Sequence, residues 1–382
     1  MGGSVFSTIT INYFLCTTMD KLLFTPGPLT TSMTVKEAML HDLGSRDTSF
    51  INTVKEIREQ LLAHGGVSKD TGYETVIMQG SGTFGVEAMI SSAVPRDGKL
   101  LVLINGAYGE RIAKIASIHK IPYEALVCDE DQTPDLQKTE ELLASGGFTH
   151  MIIVHCETTS GIFNPIDQFG MLAARYGVGY LVDSMSAFGA VPVDIAACHI
   201  DFLVSSSNKC IEGVPGFSFV IARRDSLIKC QGQADTLVLD MYAQWVGLEN
   251  DGQFRFTPPT HALLAFRQAL RELDEEGGVA ARAARYQDNF NTLAEGMSTL
   301  GFREYLGRDR QGYIINSYHY PEAAAFDFKV FYNKLNDRGY IIYPGKLTKA
   351  NCFRIGNIGR LYTKDVKALL AAISEVKAEM GF

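Results

Sequence analysis

The sequence predicts an α/β fold with a mainly parallel sheet in a large domain, followed by a smaller α+β domain. Two observations lead to this prediction. Short apolar runs alternate with longer amphipathic stretches between about residue 73 and residue 225, and this alternation stops after about residue 275. Strands that alternate with helices are typical of a parallel sheet covered by helices on both faces.

The apolar runs in the first part are rich in Val and Ile and are mostly bounded by Gly, Asn or Ser, as buried strands are. They are ETVIMQ, KLLVLING, MIIVHCE, GYLVDSM, IDFLVSSS and GFSFVIARR. The amphipathic stretches between them predict helices at residues 85–94, 109–119, 133–144 and 165–176.

After EEGG at residues 275–278 the pattern predicts a long helix over residues 279–301. Strand-like GYIINSYHY, a helix near residues 326–338, strand-like YIIYPG and CFRIGNIG, and a closing helix complete this part. We therefore predict a large domain at residues 19–275 and a small C-terminal domain at residues 276–382.

The first 18 residues, MGGSVFSTITINYFLCTT, include an apolar stretch but no Lys or Arg. The positively charged start of a secretory signal is therefore missing. We expect residues 1–18 to be a disordered extension, or the result of an upstream start, with Met19 beginning the structural protein.

Composition narrows the class of protein. Hydrophobic residues make up 46% of the 382 residues, charged residues 20%, and the net charge is −8. A large core is expected, while the basic surface of a nucleic-acid-binding protein and the roughly 18-residue apolar run of a membrane helix are missing. The seven cysteines form no CxxC pair and no zinc-ligand spacing. Reduced thiols in a cytoplasmic protein without a metal site are the expectation.

The segment from Gly80 to Gly85, GSGTFG, follows a predicted strand and opens a predicted helix. It matches the GxGxxG pattern of dinucleotide sites, but a helix start attracts any phosphate. The next strand ends at Asn105, where a dinucleotide site would have an acidic residue for the ribose. Ser81 and Thr83 add hydroxyl groups that suit a phosphate monoester. An ordinary strand–helix turn remains an alternative.

Two later strand ends carry an aspartate and a lysine. Asp183 ends GYLVD, and Lys209 follows IDFLVSSS, so both side chains are expected at the carboxyl edge of the sheet, where ligands bind. Pyridoxal 5'-phosphate (PLP) needs this pair, because a carboxylate keeps its ring nitrogen protonated and a lysine forms the Schiff base. Singly, Asp183 is equally compatible with a helix cap and Lys209 with a solvated loop.

At this point the sequence resembles a known family. The motifs LLFTPGPLTTS, HDLGSRD, NGAYGER, HCETTSGIFNP, DSMSAFG, SSSNKCIEGVPGF, FTPPTH and CFRIGNIG closely resemble the 2-aminoethylphosphonate–pyruvate transaminases, a class V branch of the fold-type I PLP enzymes. The resemblance runs from about Leu22 to the C-terminus. It implies a seven-stranded sheet, PLP as cofactor, and a homodimer with shared active sites. It also implies an amino donor, 2-aminoethylphosphonate, and a 2-oxo acid acceptor, pyruvate.

The resemblance further implies roles for individual residues toward the cofactor. Lys209 would be the Schiff-base lysine, Asp183 the partner of the ring nitrogen, and Tyr108 the aromatic ring stacked on the pyridine. The other implied contacts to the cofactor are Ser81, Gly82 and Thr83 at its phosphate, Thr159 at its phenolic oxygen, Ser207, and Thr257 at the phosphate of the neighbouring subunit.

The implied substrate contacts are Gly27, Arg46 and Arg354. Arg354 would bind the acid group, since a guanidinium matches a carboxylate and is costly to bury unpaired. Alternatives stay open for several of these residues: core packing for Tyr108, a rigid turn for Thr257, and a surface salt bridge for Arg46.

Four other functions also remain open. An alanine–glyoxylate or serine–pyruvate transaminase, or a PLP lyase on a related aminophosphonate, would use the same Asp183 and Lys209. A nicotinamide-dependent oxidoreductase would explain GSGTFG but not this pair. A non-catalytic binding module would not explain why many ionisable residues lie at strand ends.

Overall fold

A computed structural model of the protein describes residues 20–382. The predicted disordered extension at residues 1–18 lies outside these residues. The strands are β1 (Leu22–Leu23), β2 (Tyr73–Gln79), β3 (Leu100–Ile104), β4 (Tyr123–Val127), β5 (His150–Val154), β6 (Cys156–Glu157), β7 (Ile162–Phe163), β8 (Gly179–Asp183), β9 (Phe202–Ser206), β10 (Phe217–Arg223), β11 (Ile315–His319), β12 (Tyr340–Ile341), β13 (Tyr343–Pro344) and β14 (Cys352–Gly356).

The helices surround the sheets, and a short 3₁₀ helix at Ala38–Leu40 follows the first of them. They are α1 (Met33–Glu37), α2 (Thr48–His64), α3 (Gly82–Ala93), α4 (Ala107–Ile118), α5 (Leu136–Ala144), α6 (Ile166–Tyr176), α7 (Arg224–Ile228), α8 (Met241–Asn250), α9 (Thr260–Glu276), α10 (Gly278–Thr299), α11 (Phe328–Asp337) and α12 (Thr363–Met380).

The main sheet has seven strands in the order β2-β10-β9-β8-β5-β3-β4. All neighbours are parallel except β10, which runs antiparallel to both β2 and β9. This confirms the predicted α/β fold with a mainly parallel sheet. The sequence patterns did not identify β4, because this edge strand alternates exposed and half-buried residues instead of forming an apolar run.

The main sheet is buried between two helical layers, which is why its central strands consist mostly of apolar residues. Alternate residues face opposite sides: Leu101 and Leu103 of β3 pack into one core, and Leu100 and Val102 into the other. The first core includes residues of α2, α6 and α9, and the second includes residues of α3 and α4. Polar residues at the carboxyl ends of strands, such as Asp183, lie at the edge of the sheet and outside these two cores.

The C-terminal part has its own three-stranded sheet, in the order β11-β14-β13, and its own core around Phe331, Phe353 and Ile373. Phe24 belongs to this core as well, and β1 pairs in parallel with β12. The domain division at residues 275 and 276 stays a prediction. Residues 22–24, assigned to the large domain in that prediction, pack with the C-terminal part.

A buried ionic cluster joins α10 to the loop that follows β9. The guanidinium of Arg282, a fully buried residue, donates to the Cys210 carbonyl oxygen at 2.7 Å. The Tyr286 hydroxyl donates to the Glu212 carboxylate at 2.6 Å. Glu212 is only 2% exposed, and its N–H bonds the Lys209 carbonyl oxygen at 2.7 Å. The backbone that carries Lys209 is therefore held from the C-terminal part.

Within residues 20–382, no helix is both long and apolar enough to cross a membrane. The six cysteines of that range are free thiols. In the same range, no group of three or more His, Cys, Asp or Glu side chains is arranged to hold a metal ion.

Candidate active site

One pocket lies at the carboxyl ends of the central strands, the edge at which open α/β sheets bind ligands. Six of the predicted site residues line this pocket together. They are Ser81, Gly82, Thr83, Tyr108, Asp183 and Lys209.

Asp183 ends β8 and is 5% exposed. One carboxylate oxygen accepts the Met185 N–H at 3.0 Å, and among residues 20–382 no cationic side chain lies within 4.0 Å of the carboxylate. Burial raises the pKa of Asp183 to about 6, while Met185, Arg111 and Lys209 act in the opposite direction. A buried, unpaired carboxylate has the capacity to accept a hydrogen bond from a cationic N–H group.

Lys209 lies just beyond β9, and its Nζ donates to the Pro26 carbonyl oxygen at 2.5 Å. Burial lowers the pKa of Lys209, although Tyr108 and Asp183 partly oppose this effect. A lysine with a lowered pKa has more of the neutral amine that forms imines and accepts protons.

Gly27 explains how the Pro26–Pro28 segment approaches this lysine. A Cβ atom at Gly27 would lie 2.7–2.9 Å from the side chain of Lys209, and the φ angle of Gly27 is +124°, where side chains are rarely found. Glycine is thus required there for contact with Lys209.

Ser81, Gly82 and Thr83 form the start of α3. The Ser81 side chain makes no capping hydrogen bond, so the first N–H groups of the helix are available to an anion. A Cβ at Gly82 would come 2.4 Å from the sulfur of Met185, so this turn is packed closely against the residue that follows the Asp183 strand. Arg111 donates to the Thr83 hydroxyl at 3.2 Å and adds a positive charge.

The Tyr108 ring is half-buried at the start of α4 and has cations beside it. Lys346 Nζ lies 4.1 Å from the ring centroid, and the Arg111 guanidinium lies 4.9 Å from it. Burial would raise the pKa of the Tyr108 hydroxyl, but the charge of Lys209, the nearby Thr158 hydroxyl and the charges of Lys346 and Arg354 lower it overall. Tyr108 thus lines the pocket and is not simply a core residue.

The Thr159 hydroxyl has other partners than the predicted one. It donates to the Glu157 carboxylate at 2.5 Å and accepts the Ala107 N–H at 3.1 Å, and Thr159 is fully buried. The expected bond from Thr159 to a cofactor oxygen is therefore not supported. The buried Thr158 hydroxyl, in contrast, has no hydrogen-bond partner among residues 20–382. The sequence offers adjacent threonines, and only the fold distinguishes them.

The predicted contact of Ser207 with the cofactor stays a prediction, and in this structure the Ser207 hydroxyl has other partners. This hydroxyl donates to the Val214 carbonyl oxygen at 2.6 Å and to the Phe217 carbonyl oxygen at 3.1 Å, so it shapes the loop that carries Lys209. The adjacent Ser206 and Asn208 line the pocket instead. Ser206 is the last residue of β9, and Asn208 and Lys209 follow in the turn after it.

Arg354 lies on β14 and is 5% exposed. Its Nη1 donates to the Thr158 carbonyl oxygen at 2.8 Å, and its Nε to the Pro344 carbonyl oxygen at 3.0 Å. No carboxylate lies within 4.0 Å of its guanidinium in the described part of the chain. Burial lowers the pKa of Arg354, opposed by Tyr108, Tyr343 and Glu157. An unpaired buried guanidinium is suited to an acid group of a ligand.

Arg46 and Thr257 lie apart from the Lys209 pocket within one chain. Both are exposed and line a separate surface groove together with Phe254, Phe256 and Pro258. Arg46 has no carboxylate within 4.0 Å among residues 20–382, so the alternative of a surface salt bridge is not supported.

Comparison with known proteins adds an independent line of information. Residues 29–335 match the family described as aminotransferase class-V. A protein of Salmonella schwarzengrund named 2-aminoethylphosphonate–pyruvate transaminase is 51% identical over 360 residues, which are 94% of this chain and 98% of that protein.

Two solved structures have the same fold. Ureidoglycine–glyoxylate aminotransferase from Bacillus subtilis matches with a TM-score of 0.86 at 20% identity, over 95% of this chain and 94% of its own. Alanine–glyoxylate aminotransferase from Nostoc sp. matches with a TM-score of 0.85 at 25% identity, over 94% of this chain and 95% of its own.

Proposed function

The chain belongs to the class V aminotransferases and, among them, to the 2-aminoethylphosphonate–pyruvate transaminases, and from this we propose that it transfers the amino group of 2-aminoethylphosphonate to pyruvate. The products are phosphonoacetaldehyde and L-alanine. The observation that carries the proposal is that buried Asp183 and half-buried Lys209 line one pocket, and that neither is in an ion pair within residues 20–382. Family membership supports transamination over the oxidoreductase and binding-module alternatives.

The proposed cofactor is PLP, and the residues of the pocket fit it. Asp183 supplies an unpaired carboxylate for a protonated ring nitrogen, and the start of α3 supplies N–H groups for a phosphate. The partnerless Thr158 hydroxyl supplies a hydrogen bond that suits a phenolic oxygen. When bound, PLP supplies an electron sink that makes the donor carbon acidic.

Lys209 has two tasks in the proposed mechanism. Its amine would hold the cofactor covalently in the absence of substrate. The released Nζ then accepts the proton from the donor carbon and returns it at a neighbouring carbon, as a general base followed by a general acid. Its lowered pKa supports both tasks, because only the neutral amine attacks a carbonyl or accepts a proton.

Asp183 and Arg354 act by charge. Asp183 would hold a protonated ring nitrogen of the cofactor by its negative charge. Arg354 pairs with the acid group of each substrate in turn, first the phosphonate and then the carboxylate of pyruvate. One guanidinium serves both because the two substrates occupy the same pocket in succession.

A homodimer with shared active sites is part of the proposal. Arg46 and Thr257 are exposed and unused by the pocket of their own chain, which supports their contribution to the pocket of a second copy. Three large apolar side chains, Leu40, Phe84 and Phe256, are also exposed, and Phe84 directly follows the Ser81–Thr83 turn. Exposed apolar residues near a functional edge are typical of subunit interfaces.

The first prediction is the reaction itself. Purified enzyme with PLP, given 2-aminoethylphosphonate and pyruvate, is expected to form L-alanine in equal amount to the amine consumed, and to form none when either substrate is omitted. The measurement is a coupled assay for L-alanine. Turnover of serine without turnover of 2-aminoethylphosphonate would instead favour a serine–pyruvate transaminase. Release of ammonia without pyruvate would favour a lyase.

The second prediction separates the adjacent threonines. Thr158→Val is expected to weaken PLP binding by about 3- to 10-fold, the size of one neutral hydrogen bond, with little change in stability. Thr159→Val removes a hydrogen-bond donor from the buried Glu157 carboxylate. This loss is expected to lower the unfolding free energy by about 1–3 kcal/mol. Titration of the apoenzyme with PLP and urea unfolding measure the two effects. The reverse pattern would return the cofactor contact to Thr159.

A further inference from the structure

The loop at residues 345–351, which connects β13 to β14, brings a lysine to Tyr108, one of the residues that line the pocket. Lys346 Nζ lies 4.1 Å from the centroid of the Tyr108 ring. Tyr108 lies on α4 of the main-sheet part, whereas Lys346 lies in the C-terminal part, so the loop bridges the two sides of the pocket. The proposed mechanism assigns no task to Lys346.

This loop is fastened on its outer side. The Thr348 N–H donates to the Glu130 carboxylate at 3.0 Å, and the Thr348 hydroxyl donates to the same carboxylate at 3.2 Å. Lys349 pairs with Asp129. Because the next residues are held in this way, Lys346 is directed to Tyr108 by a docked loop and not by a free one.

The charge of Lys346 has no counter-ion in the part of the chain that the structure describes, where no carboxylate lies within 4.0 Å of Nζ. Arg354, on the following strand, is likewise unpaired, and its Nη2 makes no hydrogen bond to residues 20–382. Both charges lower the pKa of the Tyr108 hydroxyl. One hairpin thus presents two unpaired cations to the same tyrosine.

Two cations exceed what a carboxylate needs. A carboxylate has two oxygens and one charge, which one guanidinium pairs with. A phosphonate has three oxygens and takes up a second negative charge near neutral pH, as phosphate groups do. The substrates of the proposed reaction differ in just this respect, since the donor carries a phosphonate and the acceptor a carboxylate.

We infer that Lys346 is the residue by which this enzyme distinguishes a phosphonate from a carboxylate on the amino donor. Arg354 binds the acid group common to both substrates, and Lys346 pairs with the additional oxygen and charge of the phosphonate. This inference rests on the proposed function and deepens it.

The test compares two amino donors in single half-reactions, followed by the absorbance of the bound cofactor. In Lys346→Met, kcat/KM for 2-aminoethylphosphonate is expected to fall by about 10- to 100-fold, the range of a lost charge-assisted hydrogen bond. With L-alanine as donor, the change is expected to stay below about 3-fold. Lys346→Arg keeps the charge and is expected to retain most of the preference for the phosphonate.

Lys329→Met is the control, because it makes the same change at an exposed lysine of α11 that does not line the pocket and does not fasten the loop. It is expected to affect both donors equally and by less than about 3-fold. The L-alanine reaction of each variant also reports that its pocket is folded.

An equal loss for both donors in Lys346→Met, or no loss for either, would overturn the inference. A wild-type enzyme that reacts with L-alanine but not with 2-aminoethylphosphonate would overturn the proposed function as well. The two failures are distinguishable, because the second is seen in the wild type before any substitution.

Discussion

Lys209→Ala is expected to lower kcat for transamination by more than about 10⁴-fold, because it removes both a covalent anchor and a general base. Among residues 20–382, no second lysine lines the pocket of Lys209, and Lys346, which lies beside Tyr108, belongs to the C-terminal hairpin loop. The variant is also expected to lose the covalent, borohydride-reducible attachment of PLP, so its visible absorbance should differ from that of the wild type.

Lys229→Ala is a suitable control, since Lys229 is an exposed lysine that does not line the pocket of Lys209. Its kcat and visible absorbance are expected to match those of the wild type. The unfolding midpoint of Lys209→Ala should not fall, because the substitution removes a buried cation without a carboxylate partner. A Lys209→Ala enzyme that still holds PLP covalently would refute the assignment of the anchor.

Asp183→Asn is expected to lower kcat by about 10²- to 10³-fold, since a neutral amide cannot hold a positive charge on the ring nitrogen. Asparagine has nearly the same shape, and its side-chain oxygen can still accept the Met185 N–H. Loss of activity would therefore report the missing charge and not a disturbed strand end. Steady-state assays with saturating pyruvate measure the effect.

The same substitution has a second, opposite consequence for the stability of the cofactor-free protein. Folding raises the pKa of Asp183 from its usual 3.8 to about 6, so the folded state binds this proton more tightly than the unfolded chain. The ionised group therefore costs stability above pH 6, by about 3 kcal/mol, and the cost disappears as the pH falls toward 4. Asparagine at position 183 removes this stability cost at every pH.

Urea unfolding of apoenzyme at pH 5 and pH 8 checks this expectation. Asp183→Asn should be more stable than the wild type at pH 8, with a smaller difference at pH 5. Asp225→Asn, at an exposed aspartate in α7, serves as the control and should change neither activity nor stability. An Asp183→Asn enzyme with wild-type kcat would mean that another group holds the ring charge.

The sequence patterns predicted most of the main sheet because parallel strands that are buried on both faces consist of runs of apolar residues. Runs such as KLLVLING and GYLVDSM correspond to β3 and β8. The exposed edge strand β4 has no such run and was not identified. The pairing of β1 with β12 joins residues that are more than 300 positions apart, and no local pattern predicts such a contact.

For the site, the sequence by itself determined the kinds of chemical group and the strand ends that carry them. Asp183, Lys209 and the Ser81–Thr83 turn meet in one pocket because the carboxyl ends of parallel strands share an edge. The local sequence pattern is sufficient to predict that these residues meet, since each of them ends or follows a strand that the sequence predicts.

Only the tertiary structure decided which side chain of a local pair is held by other residues of the protein and which is not. Thr158 and not Thr159 has a free hydroxyl, and Ser206 and Asn208, not Ser207, line the pocket. It also decided that Lys346 reaches Tyr108, through a loop docked on Glu130. The physical reason is that side-chain direction depends on backbone torsion at each residue and on contacts between distant segments, neither of which is expressed in residue type or spacing.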